Sequence, residues 1–173
     1  MKMLASLMVL VCLNINTVGN KTIGSSDAEG RCVGMNRKEV IECNIRETLY
    51  ELELDSFVVE LLIAQSKHES GNYTNTLTQY NNLFGRWYSK NDTLALGPGA
   101  PAEGHSRFAR YPSVRAATLS QIDYLRRRGY SFKWKTAYEY AVELKRKGYY
   151  AAPVSVYYRA LVRHYKETKN ESI

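Results

Sequence analysis

The chain has 173 residues, 45% of them hydrophobic and 24% charged, with a formal net charge of +7. Once the N-terminus is set aside, that balance suits one globular domain with enough residues for a real core. The three cysteines and three histidines show no metal-ligand spacing, which excludes a cysteine-based metal module.

Residues 2 to 13, K-M-L-A-S-L-M-V-L-V-C-L, place one lysine before an almost unbroken apolar run, and polar residues follow from Asn14 to Ser26. This pattern predicts an export signal and cleavage region over residues 1–26, because a membrane helix needs about 20 apolar residues. Cys12 at the end of the run raises the alternative of a lipid anchor, although Val11 stands where a small residue usually precedes a lipidated cysteine. Residues 27–35 read as a linker. Cys32 and Cys43 are equally compatible with a disulfide across a short loop and with two buried thiols.

From residue 36 to 173 the pattern is mainly helical. Asn36 is placed to cap a helix reaching about Leu52, with Ile41, Ile45, Leu49 and Leu52 at helical spacing. Asp55 caps the next, which carries Val58, Leu62, Gln65 and Glu69 on one stripe and stops at Gly71. Periodicity fails between Arg86 and Arg110, around L-G-P-G-A-P-A-E-G. A loop of that length in a compact domain is usually a functional arm, and short strands near 86–89 and 107–111 would make it a small hairpin. Three further helices are predicted over 113–128, 134–147 and from Pro153 onward, the last with Val156, Tyr157, Ala160, Leu161 and His164 inward. Charge is uneven: Lys and Arg against Asp and Glu number 9 to 12 in residues 1–106 and 15 to 5 in residues 107–173. The basic part would be drawn to an anionic polymer, or is simply a solvated helical surface.

Glu69, in A-Q-S-K-H-E-S-G, is the residue with the clearest chemical reading. A carboxyl at the C-terminal end of an apolar helix meets the negative end of the helix dipole and partial burial, and both favour its protonated form. A carboxylic acid that is protonated near neutral pH is what general-acid cleavage of a glycosidic bond requires. Gln65 lies one turn earlier on the same face and would line the floor beside it, or pack structurally. H-E-S-G-N lacks the second histidine of a zinc-protease helix, and His68, His105 and His164 form no nucleophilic constellation with Ser or Cys.

In order, A-Q-S-K-H-E-S-G-N, N-N-L-F-G, F-A-R-Y-P-S and K-G-Y-Y-A-A-P resemble the glucosaminidase family of bacterial cell-wall hydrolases, the group that includes autolysin and flagellar-type enzymes. The resemblance spans roughly residues 45 to 167. It implies a mostly α, α+β, lysozyme-like fold and hydrolysis of the β-1,4 bond after N-acetylglucosamine in peptidoglycan. Glu69 matches the family's catalytic acid, and Asn81, Asn82, Phe84 and Gly85 match a turn that would shape the cleft wall, or serve the backbone alone. Trp87 would offer an aromatic face to a sugar ring or to the core. The family's G-Y-A-x-D-P tyrosine falls on Tyr149 when Gly148 and Pro153 are aligned, and on Tyr150 when the Tyr-Ala pair is aligned. Ala152 replaces the pattern's aspartate, which removes a cap from the last helix.

For a second carboxylate the arm offers Asp92 and Glu103, with Glu103 preferred because Pro101 and Gly104 place it in a loop able to fold over the cleft. If neither reaches the site, the substrate's own N-acetyl group would act as internal nucleophile. The combined expectation is an exported, monomeric endo-β-N-acetylglucosaminidase that takes a peptidoglycan strand and uses no cofactor, metal or nucleic acid. The competing classes are a non-catalytic glycan-binding module and a nucleic-acid-binding protein resting on R-R-R-G-Y at 126–130. A lytic transglycosylase is a nearer neighbour.

Overall fold

The computed structural model describes residues 32–101 and 107–170. The apolar run at 2–13, Cys12, Glu103 and His105 fall outside them. Helix α1 (Arg37–Glu51) starts on a full capping box, in which the Asn36 side chain accepts from the N–H groups of Lys38 and Glu39 while the Glu39 carboxylate accepts from the N–H of Asn36. Ile41, Ile45 and Leu49 are buried as their spacing predicts. A disulfide joins Cys32 to Cys43, fastening the segment before α1 to the helix itself.

Helix α2 (Ser56–Glu69) begins at Asp55, whose side chain accepts from the N–H of Phe57. Every residue from Val58 to Lys67 except Glu60 is buried, so this helix is the centre of the domain rather than one of its faces. It packs against α1 on one side and against the C-terminal helix on the other. Its polar side chains are therefore satisfied by protein. Lys67, with no solvent exposure, lies 3.2 Å from Glu42 and 3.9 Å from Glu167, and the Ser66 hydroxyl donates to the carbonyl of Ile63 while meeting the Tyr73 hydroxyl at 2.8 Å.

Helix α3 (Val114–Arg127) is capped by Ser113 and packs on α1. Helix α4 (Ala137–Arg146) starts later than the expected residue 134. Thr136 is its cap, and Trp134 instead turns into the core against Tyr140, with its indole N–H donating to Glu143. Helix α5 (Val154–Asn170) buries Tyr157, Leu161, His164 and Thr168 at helical spacing, while Val156, expected inside, is exposed.

The irregular arm does form a hairpin, shifted from its expected position. Strand β1 (Gly97–Pro101) pairs antiparallel with β2 (Arg107–Arg110), Gly97 opposite Arg110, with an irregularity between Pro98 and Pro101. The segment expected as the first strand lies along the other edge of β2 through a Trp87–Phe108 bridge and the bonds Tyr88 N–H to Arg107 O and Ala109 N–H to Arg86 O. A small second core of Ala109, Tyr111, Ala116 and Ala117 sits beneath this arm. Buried Asp92 ties it to α3, because its Oδ2 accepts from the hydroxyls of Tyr111 (2.8 Å) and Ser120 (2.6 Å). Among the described residues no helix is long and apolar enough to cross a membrane.

The burial of Lys67 sets a stability prediction. Lys67→Ala removes a fully buried cation that pairs with Glu42 and Glu167 and should cost about 3–5 kcal/mol. Arg115→Ala, which breaks the half-exposed Arg115–Glu51 pair, should cost about 0.2–1 kcal/mol. Urea unfolding monitored by circular dichroism measures both.

Candidate active site

Glu69 is the last residue of α2, and the helix ends there because Ser70 takes the cap position and Gly71 adopts a φ of 57°. The Asn75 side-chain amide donates to the Glu69 carbonyl at 3.1 Å, holding the helix end in place. The two carboxyl oxygens of Glu69 face different surroundings. Oε1 accepts a 2.8 Å hydrogen bond from the Tyr157 hydroxyl of α5. Oε2 points toward Gly85, where a Cβ on the glycine would lie 3.5 Å away. Burial raises the Glu69 pKa to about 7, and the Tyr157 hydrogen bond, which favours the carboxylate, offsets only part of that rise.

The Asn81–Gly85 turn is built by its asparagines. Asn81 takes a left-handed φ of 53° and donates to the carbonyl of Tyr111. Asn82, fully buried, accepts from the N–H of Arg86 (2.8 Å) and donates to the carbonyls of Arg86 (2.8 Å) and Ala109 (2.9 Å). These bonds lock the turn to the arm, and Asn82 makes no part of the cleft lining. Gly85, at φ 61°, lets the backbone pass close to Glu69. Phe84 is buried beneath, and its carbonyl accepts from the Tyr149 hydroxyl at 2.8 Å.

A cleft of about 720 Å³ opens over these groups, lined by Glu69, Phe84, Gly85, Trp87, Tyr124 and Tyr149 together with Arg86, Arg127 and Arg128. Trp87 is half exposed at its rim and stacks on Phe108 with ring centroids 4.8 Å apart. The two candidate tyrosines part company here. Tyr149 lines the cleft, whereas Tyr150 is not among its lining residues, donates its hydroxyl to the carbonyl of Ala141 and stacks on Tyr157 at 3.9 Å.

Gln65 is fully buried behind Glu69 rather than on the floor of the cleft. It is the hub of a hydrogen-bond chain. Its Nε2 donates to the Tyr157 oxygen (3.4 Å), and its Oε1 accepts from Tyr140 (2.6 Å) and from Gln121 Nε2 (3.3 Å). Gln121 Nε2 also reaches the Tyr149 oxygen at 3.5 Å. The chain thus runs behind the cleft from Glu69 to Tyr149 without a break.

A family model described as mannosyl-glycoprotein endo-beta-N-acetylglucosaminidase, the glucosaminidase model, matches residues 51–170. The chain belongs to the glucosaminidase family. Comparison with curated proteins and with solved structures finds no match. Membership makes the protein a glycoside hydrolase by family, and the matched span holds Glu69, the asparagine turn, the arm and all three of Tyr149, Tyr150 and Tyr157.

In this family member Asp92 contributes to the cleft lining but its carboxylate is engaged, Oδ2 by the two hydroxyls and Oδ1 by the N–H of Leu94. Glu103 lies outside the described residues. The histidines expected to be scattered are partly gathered, since His68 and His164 come within 6.2 Å between ring centroids. Burial, aided by the charges of His164 and Arg163, pushes the His68 pKa down. Among the described residues the group closest to metal-ligand spacing is Cys32, Cys43 and Glu47, and its two sulfurs are bonded to each other.

Tyr157, Gln121, Tyr140 and Arg86 are site components that the sequence does not announce. Tyr157 carries the signal of a core residue, an inward position on α5, and only the packing of α5 on α2 turns that position into a partner for Glu69. Tyr157→Phe removes a hydrogen bond that favours ionised Glu69. The Glu69 pKa should therefore move upward from about 7, as measured by NMR titration of the labelled side-chain carboxyl; an unchanged or lower value contradicts the assigned direction.

Proposed function

We propose that the protein is an endo-β-N-acetylglucosaminidase that hydrolyses the β-1,4 bond after N-acetylglucosamine in peptidoglycan, with Glu69 as general acid. The observation that carries this reading is a carboxyl at the cleft floor whose pKa is raised to about 7, bound to protein through one oxygen and turned to the cleft through the other. The Tyr157 oxygen already accepts from Gln65, so its proton is directed at Oε1 of Glu69. The acid proton then resides on Oε2, the oxygen that faces Gly85 and the cleft. From there it passes to the departing glycosidic oxygen.

Positive charge developing at the anomeric carbon needs a partner on the other side of the sugar. Asp92 is committed to the arm, so the reading supported best is attack by the substrate's own acetamido oxygen, which closes a five-membered ring as the leaving sugar takes the proton from Glu69. Water then opens that ring, with ionised Glu69 accepting its proton. Tyr149, held to the Phe84 carbonyl on the cleft wall, supports this step as the group positioned to orient the acetamide. Trp87 offers a stacking face for a neighbouring sugar ring. The apolar run at residues 2–13 supports export to the compartment where the polymer lies.

Three tests address this reading. Glu69→Gln should lower the release of reducing ends from peptidoglycan by at least about 100-fold while leaving the helical circular-dichroism signal intact. Mass spectrometry of the wild-type digest should show free N-acetylglucosamine reducing ends; anhydro-sugar ends or undiminished release by the variant would remove the proposal. Because the protonated form is the active one, the wild-type rate should fall as pH rises through about 7, by roughly tenfold per unit well above it. A pH–rate profile flat from 6 to 9 would contradict the assignment.

A further inference from the structure

The cleft contains a guanidinium that the hydrolytic chemistry does not use. Arg86 follows the asparagine turn directly, and Asn82 holds its backbone at both ends, accepting from its N–H and donating to its carbonyl. The Ala109 N–H donates to that same carbonyl at 2.9 Å. The side chain is equally fixed. Its guanidinium carbon sits 3.6 Å from the centroid of the Tyr124 ring, and its Nε is buried with no hydrogen-bond partner among the described residues. Arg128 approaches the same ring, at 5.4 Å, and also lines the cleft. Arg127 lines it too, but is held by Asp123 at 2.7 Å.

Among the described residues that line the cleft, the anionic groups able to neutralise these cations are Asp92 and Glu69. Asp92 is engaged by Tyr111, Ser120 and Leu94, and Glu69 is half protonated near pH 7. Arg86 makes no ion pair with any described residue. A planar, stacked guanidinium on a rigid backbone, flanked by a second one and facing open volume, is suited to a carboxylate, which it can meet with paired N–H donors. Stacking on Tyr124 removes the entropy cost of ordering the long side chain before the ligand arrives.

We infer that Arg86, flanked by Arg128 on Tyr124, forms a carboxylate-binding subsite, so that the cleft selects glycan strands bearing carboxylate substituents over neutral N-acetylglucosamine polymers. This rests on the glycan-hydrolase reading of the cleft and deepens it by naming the substituent that sets substrate choice. The subsite is a specificity element; it takes no part in proton transfer.

Binding, rather than turnover, tests it. The full chain carrying Glu69→Gln is titrated with soluble peptidoglycan fragments, with the same fragments after their carboxylates are converted to amides, and with a chitin oligosaccharide, following tryptophan fluorescence and confirming by calorimetry. Amidation should weaken binding about tenfold or more, down to the level of the chitin oligosaccharide, since a charge-assisted pair is worth at least that factor. Adding Arg86→Gln should collapse the ratio between native and amidated fragments to near one, and Arg86→Lys should restore part of it. Equal binding of native and amidated fragments overturns the subsite, as does a ratio untouched by Arg86→Gln. If the ratio behaves as expected while wild-type protein releases no reducing ends, the hydrolase reading fails and the subsite stands.

Discussion

A helix enclosed by protein on nearly every side cannot hand its polar side chains to water, and this constraint on α2 organises the domain. Lys67 requires Glu42 and Glu167, which come from α1 and α5; Ser66 requires Tyr73; Gln65 requires Tyr140, Tyr157 and Gln121 from three other helices. Each demand recruits a different element, so satisfying the central helix also fixes the places of its neighbours. Glu69 is the end of that series. It has the same need for partners but stands where the packing opens, and it receives one hydroxyl and a cleft instead of a second partner.

The hydrogen-bond chain behind the cleft makes the acid and the cleft-wall tyrosine parts of one assembly. Tyr149 is not set merely by its place before α5; it is pinned between the Phe84 carbonyl and Gln121, and Gln121 shares Gln65 with Tyr157. Gln121 Nε2 donates both ways, to Tyr149 and to Gln65, and from Gln65 the donors point through Tyr157 to Glu69, which is why the protonation pattern at Glu69 follows from geometry several residues away. Changes at buried Gln65 would therefore be felt on both sides of the cleft although Gln65 is neither exposed to solvent nor part of the cleft lining.

Much of this was legible in the residues. Capping signals at Asn36 and Asp55 act locally, through a side chain and an N–H two or three positions on, and each is used as expected. Glu69 could be found because its stripe and its helix end are both sequence properties. The asparagine turn could be found as a turn, but its office as a clamp on Arg86 and Ala109 depends on an arm 27 residues away, which no local pattern encodes. The α4 start was misplaced because Trp134 fits a helical stripe while Thr136 is the better cap, and the capping group prevails once Trp134 finds Tyr140. Tyr149 and Tyr150 differ by one position and exchange faces, so only tertiary placement separates a cleft residue from one stacked on Tyr157.

The hydroxyl that completes the Glu69 site comes from a helix 88 residues further along the chain. Until α5 docks, Glu69 ends a helix whose flank is open to water, and a hydrated carboxyl there returns to the ordinary carboxylate range and is ionised at neutral pH. Docking of the C-terminal helix is thus an arming step. An incompletely folded chain holds every residue of the cleft and yet has no proton at Glu69 to give, so under the proposed function the capacity to cut glycan and the completion of the fold would arrive together.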